Sequence, residues 1–172
     1  LALILSIVVI DSVHAQDCPI EPRVLRTEQD HVIATIAKTP RYTQGLVFQN
    51  GFLYESTGMW GHSGVYRIDL DTAKFTQLTK NTDDVFAEGL TFYKGKFYQL
   101  TYLNEVVFVY AQKGVGLKKV SSLSLPGEGW GLTAFGDKRW ASDGSARLKV
   151  LNPQSMTVEK AVTVAVRKDQ LH

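Results

Sequence analysis

Gly-Leu pairs recur in phase along the chain at Gly45-Leu46, Gly89-Leu90 and Gly131-Leu132, with intervals of 44 and 42 residues. A second marker keeps the same phase: "YEST" opens at Tyr54, "YQLT" at Tyr98 and "WASD" at Trp140. Two markers sharing one period constrain the fold more than any composition does. Each copy must be one structural unit that covers its apolar faces by stacking on its neighbours.

Inside a copy the pattern is that of strands. Residues 43–48 lead into Gln49-Asn50-Gly51, a strong hairpin signal, and Phe52–Thr57 returns. The glycine-rich "GMWGHSG" then leads to "VYRIDL", and "DLDTAK" turns into "KFTQLT". The second copy turns at Lys94-Gly95. The third turns at Gly136-Asp137 and again at Asn152-Pro153-Gln154-Ser155. No stretch has helical periodicity. Four-stranded units of this length are the mark of β-propeller blades, so the fold class is all-β, with blades at 42–82, 86–126 and 129–167. A β-sandwich with accidental self-similarity is the alternative. A propeller ring needs more than three blades. The expectation is therefore an incomplete propeller, with residues 31–38 as a ring-closing outer strand.

Charge and cysteine content exclude several functions. The formal net charge is +2 and no basic cluster stands out, which argues against a nucleic-acid partner. The apolar run LALILSIVVI is too short to span a bilayer, which takes about 20 residues. Val13-His14-Ala15 follows with residues suited to a signal-peptidase site, so residues 1–15 read as part of a signal peptide. The expected location is secreted or periplasmic, without a membrane contact in the mature form. Cleavage after Ala15 would expose Gln16. Cys18 is the single cysteine, and the histidines form no HxH or HExxH pattern; no metal and no cofactor are expected.

The residue before each Gly-Leu pair changes from Gln44 to Glu88 to Trp130. The first strand of each blade lines the central channel, so these three should converge at its mouth. The loops at 58–64, 102–105 and 142–146 should rim the same mouth. Alternation along a strand puts Tyr42 on the face of Gln44 and Phe86 on the face of Glu88. A carboxylate at Glu88, partly desolvated by Phe86 and Trp130, suits proton shuttling. Gln44 suits orienting an amide, and Trp130 offers an apolar wall and one N–H donor. A binding propeller with polar groups solvated by channel water would carry the same kinds of residue.

The phrases "YTQGLVF", "GFLYESTGMWGHSGVYRIDL", "FAEGLTFYKGKFYQLTY", "GWGLT" and "WASDGS" together resemble the plant-and-bacterial glutaminyl-peptide cyclotransferases, over residues 41 to 166. The resemblance implies a five-bladed propeller, with two blades lying beyond His172. It implies cyclisation of N-terminal glutamine to pyroglutamate with release of ammonia, on peptides or proteins that begin with Gln. It implies Glu88 as the proton shuttle, Gln44 and Trp130 as the residues that hold the substrate amide, and Phe86 as an aromatic wall. Tyr42 stands where the family has Phe and keeps the wall. The piece by itself is expected to be inactive, and the complete protein monomeric. The alternative is a non-catalytic secreted propeller that binds peptides or carbohydrate at the channel mouth. A lactonase or dehydrogenase would need ligands that these histidines do not supply.

Overall fold

Period-2 patterning and tight glycine turns become three four-stranded antiparallel sheets in the structure, a computed structural model that describes residues 41–165. The expected signal peptide, Cys18, the strand at 31–38 and the last residues of the third unit lie outside the described residues. The first sheet holds β1 (Thr43–Gln49), β2 (Phe52–Thr57), β3 (Gly64–Asp69) and β4 (Lys74–Lys80). The second holds β5 (Ala87–Tyr93), β6 (Lys96–Thr101), β7 (Val106–Lys113) and β8 (Gly116–Ser124). The third holds β9 (Leu132–Phe135), β10 (Lys138–Ser142), β11 (Arg147–Leu151) and β12 (Val158–Thr163). Each sheet is a meander, with strands paired in chain order. The first turn is the one its residues demand. Asn50 and Gly51 have φ of 50° and 80°, and Lys94 and Gly95 repeat this at 45° and 79°. Two left-handed residues in sequence make the hairpin turn whose twist matches the strands.

The middle sheet is covered on both faces. In β6, Phe97 joins the core shared with the first sheet, while Tyr98 and Leu100 join the core shared with the third. In β7, Phe108 and Tyr110 face one way and Val107 and Val109 the other. This is strand alternation with both sides apolar, the pattern of a sheet stacked between two others. The outer strand β8 is mostly exposed.

Two polar devices lock the sheets together. Gln99, fully buried in β6, donates to the Ser56 hydroxyl at 2.8 Å and to the Gly64 carbonyl at 3.1 Å, both on the first sheet. Its carbonyl accepts from Asn81 at 3.0 Å and from the Tyr110 hydroxyl at 2.9 Å. Burial pushes the Tyr110 phenol up, so it stays a donor. Every arm of the amide is used. Gln99→Ala is therefore expected to cost about 2–4 kcal/mol, from a cavity plus stranded partners. Urea unfolding of the two chains measures it, and equal stability would mean that apolar packing alone joins the sheets.

The second device is Arg139 in β10, wholly buried between the second and third sheets. Its guanidinium lies 3.5 Å from the Tyr98 ring centroid and 4.6 Å from that of Tyr93. It donates to the Met156 sulfur at 3.0 Å. Desolvation lowers its pKa, and no carboxylate pairs with it among the described residues. The electron-rich faces of two tyrosines take the place of a counterion.

Candidate active site

The site begins with how closely the sheets approach. A Cβ on Gly45 would stand 2.5 Å from the backbone nitrogen of Leu90. A Cβ on Gly89 would stand 2.5 Å from the nitrogen of Leu132 and from the carbonyl oxygen of Trp130. Each Gly-Leu pair thus abuts the next, and Gly89 N–H donates to Trp130 O at 2.7 Å. The repeated frame is the seam along which the three first strands meet.

The framed residues sit where pairing within each sheet slips. In β1 the register jumps between Thr43 and Gly45, bypassing Gln44. In β5 it jumps between Ala87 and Leu90, across Glu88 and Gly89. A bulge re-aims a side chain away from strict alternation. Here the two bulges bring Gln44 and Glu88 together: Gln44 Nε2 donates to Glu88 Oε1 at 2.6 Å, across two sheets. Glu88 is only partly exposed. Desolvation raises its pKa and the Gln44 hydrogen bond lowers it, and desolvation wins, leaving the carboxyl at about 7.

The aromatic wall is built on Phe86. Its ring meets Tyr42 edge-on at 6.0 Å between centroids, Trp60 at 5.7 Å and Tyr102 at 5.9 Å. Gly58 is the floor beneath it. A Cβ there would lie 2.5 Å from Phe86 Cε1 and 3.0 Å from Gln44 Cγ. Tyr42 is more than half exposed, at 58%, and forms the outer edge. The loops after each second strand return to this end, as the hydrogen bonds from Gly58 N to Tyr42 O (2.7 Å) and from Tyr102 N to Phe86 O (2.9 Å) repeat.

Trp130 arrives differently. Its backbone adjoins Glu88 through the Gly89 bond, but its indole lies against Gly144, where a Cβ would come within 2.6 Å of Cζ2. The indole N–H donates to Glu128 at 2.9 Å, so the donor foreseen for a substrate is already engaged. The loop behind it is fixed by Asp143, whose carboxylate accepts from Ser145 Oγ at 2.6 Å and pairs with Lys149 at 3.0 Å. The Ser145 and Lys149 hydrogen bonds hold Asp143 down at about 2.

The structure therefore joins Gln44, Glu88, Phe86 and Tyr42 in one connected cluster and brings the backbone of Trp130 beside it. Sequence reasoning placed Gly58 and Tyr102 in the rim loops without giving either a role in the wall, and it missed Glu128. The phase of Tyr102, 16 residues after Phe86, matches that of Gly58 after Tyr42, and this signal pointed to its loop but not to its ring. An open cleft is lined by Arg41, Tyr42, Thr57, Gly58, Met59, His62 and Tyr66; it shares Tyr42 and Gly58 with the cluster but not the Gln44–Glu88 pair. Among the described residues no group of three or more His, Cys, Asp or Glu side chains is placed to hold a metal ion.

The raised carboxyl has a thermodynamic signature. Glu88 has a folded pKa of about 7 against an ordinary 4.5, so the folded state holds its proton more tightly. That advantage is complete below 4.5 and is lost as pH rises through about 7. The chain is expected to lose stability relative to Glu88→Gln across this window. Denaturant midpoints of both chains at the two ends of the window check it, and parallel curves would mean an ordinary carboxylate.

Known proteins resemble this chain in sequence and in fold. A curated glutaminyl-peptide cyclotransferase of Arabidopsis thaliana is 34% identical over 135 residues, covering 77% of this chain and 42% of the relative. The crystal structure of Myxococcus xanthus glutaminyl cyclase superposes with a TM-score of 0.61 at 30% identity, covering 73% of this chain and 52% of that one. The chain thus spans about half the length of these relatives. The Pan2 WD40 domain of Neurospora crassa matches with a TM-score of 0.56 at 10% identity, covering 70% of this chain and 36% of that one, a likeness of fold alone. The three sheets are thus arranged as in propeller proteins. The glutamine cyclotransferase family model matches residues 3–172, nearly the whole chain, and the protein belongs to that family.

Proposed function

We propose that the complete protein converts an N-terminal glutamine into pyroglutamate, with Glu88 moving the proton. The observation that carries this reading is the Gln44–Glu88 contact of 2.6 Å, joined to a carboxyl poised near 7. Nucleophile and electrophile belong to one residue, so the site has mainly to hold the folded-back conformer. The α-amine nitrogen bonds to the side-chain Cδ. The Cδ–Nε bond breaks, and ammonia departs. Ionised Glu88 takes a proton from the amine and returns it to the leaving nitrogen, ending as it began. A group with a pKa near the working pH does both transfers well.

The neighbours divide the remaining work. Gln44 holds one Glu88 oxygen through its N–H, which leaves the other oxygen for the substrate. The Gln44 carbonyl is an acceptor of the kind that suits a carboxamide NH₂. Phe86, with Tyr42 and Tyr102 against it, supplies an apolar side for the aliphatic part of the glutamine and keeps water from Glu88. Trp130 contributes a face and no donor.

The test is ammonia release from a Gln-initiated peptide by the full natural chain containing these residues, with the product's mass checked for loss of one ammonia. Binding of such peptides without ammonia release would favour the non-catalytic alternative. The expected secretion of the protein is tested separately, by recovering it outside the cytoplasm with Gln16 as its first residue.

A further inference from the structure

We propose that Trp60 sets the enzyme's preference for the second residue of its peptide substrate, by taking that residue's side chain against its indole. The inference rests on the cyclisation reading above and extends it beyond the reacting residue. Trp60 is 48% exposed, yet its ring meets Phe86, with centroids 5.7 Å apart at 69°. Phe86 in turn lies beside Gln44, since both crowd the space above Gly58. The indole is therefore one ring further out than the wall of the reacting pocket. Consecutive residues of a peptide are about 3.8 Å apart at Cα. A chain whose first residue sits at Gln44 and Glu88 carries its second side chain to about this distance.

The loop that carries the indole is tied down by hydrogen bonds. Gly61 N–H donates to Asp83 O at 3.1 Å, and Asn81 N–H donates to Ser63 O at 2.9 Å, both across to the segment that leads into the second sheet. Ser63 Oγ donates to Met59 O at 3.0 Å and accepts from Ala87 N–H at 2.9 Å, the residue next to Glu88. Met59 is kept at φ 77°, a left-handed backbone that non-glycine residues seldom adopt. The loop maintains an unfavourable conformation at the residue before Trp60, and strain of this kind collects at ligand contacts. A large apolar surface, carried on a hydrogen-bonded loop and continuous with the pocket wall, suits an aromatic or branched aliphatic side chain. Such a partner gains area burial and ring stacking there, and glycine gains neither.

The experiment compares Gln-Phe and Gln-Gly peptides of otherwise equal sequence on the full natural chain and on Trp60→Ala. The unsubstituted chain is expected to prefer Gln-Phe, and Trp60→Ala to reduce the ratio of the two kcat/KM values about tenfold, mostly through KM. Trp60→Phe should recover part of the ratio. An equal loss on both peptides, or an unchanged ratio, overturns the inference while leaving cyclisation standing. If the unsubstituted chain releases no ammonia from either peptide, the cyclisation reading fails and this inference falls with it. A melting temperature for each variant separates loss of fold from loss of contact.

Discussion

Glu88→Gln is expected to lower kcat/KM for ammonia release by about 10²-fold or more, with KM nearly unchanged. The substitution is close to isosteric, and Gln44 Nε2 can still donate to the new side-chain oxygen, so the 2.6 Å contact has a counterpart in the variant. Only the capacity to take and return a proton is removed. The pH profile offers a second readout. With Glu88 at about 7, the unsubstituted enzyme must lose rate as pH falls through that value, because the protonated carboxyl cannot accept from the amine. The substrate amine titrates at about 7.7–8.0 and adds its own acid limb. The variant should keep the amine's limb and lose the lower one. Turnover at the normal rate in Glu88→Gln would remove Glu88 from the mechanism.

The choice of Glu88 was open to sequence reading for a definite reason. Period-2 alternation and Asn-Gly or Lys-Gly turns are local properties, so three four-stranded sheets followed from residues a few positions apart. The Gly-Leu frame then carried non-local information, because equal phase in stacked units means neighbourhood in space. That is how Gln44 and Glu88, 44 residues apart, could be paired before any coordinates. What phase does not convey is the direction of a side chain. The register slips at Gln44 and Glu88 depend on how β1 and β5 pair with their own neighbours, and Trp130 lies just before β9, outside any ladder. Its indole is set by a contact with Gly144, at the same offset as Gly58 against Gln44, and by a bond to Glu128 that does not repeat in the other two sheets. Tyr102 was hidden for a related reason. Its ring reaches Phe86 from a neighbouring loop, and only the offset between the two segments decides that contact.

The second large effect concerns the seam itself. Gly89→Ala is expected to destabilise the chain by about 2–4 kcal/mol, from overpacking and a weakened hydrogen bond. Gly89 is not among the residues with positive φ, so alanine meets no conformational penalty there. The whole cost is steric. The new methyl would stand 2.5 Å from Leu132 N and from Trp130 O, which are backbone atoms of the neighbouring unit and have no rotamer to change. The second and third units must part, and the 2.7 Å bond from Gly89 N–H to Trp130 O lengthens with them. Gly95→Ala is the matched comparison. Its Cβ would meet nothing within 4 Å, but its φ of 79° disfavours an L side chain. That variant should lose only about 1 kcal/mol, the backbone term alone. Urea unfolding of the two variants separates the effects. If Gly89→Ala costs no more than Gly95→Ala, the seam is looser than these distances require. The same variant should also lose catalysis, since Gly89 adjoins Glu88 and a shift of about 1 Å in a reacting group can cost 10²-fold. The glycine that lets the units approach is thus also the residue that fixes where the proton-transfer group stands.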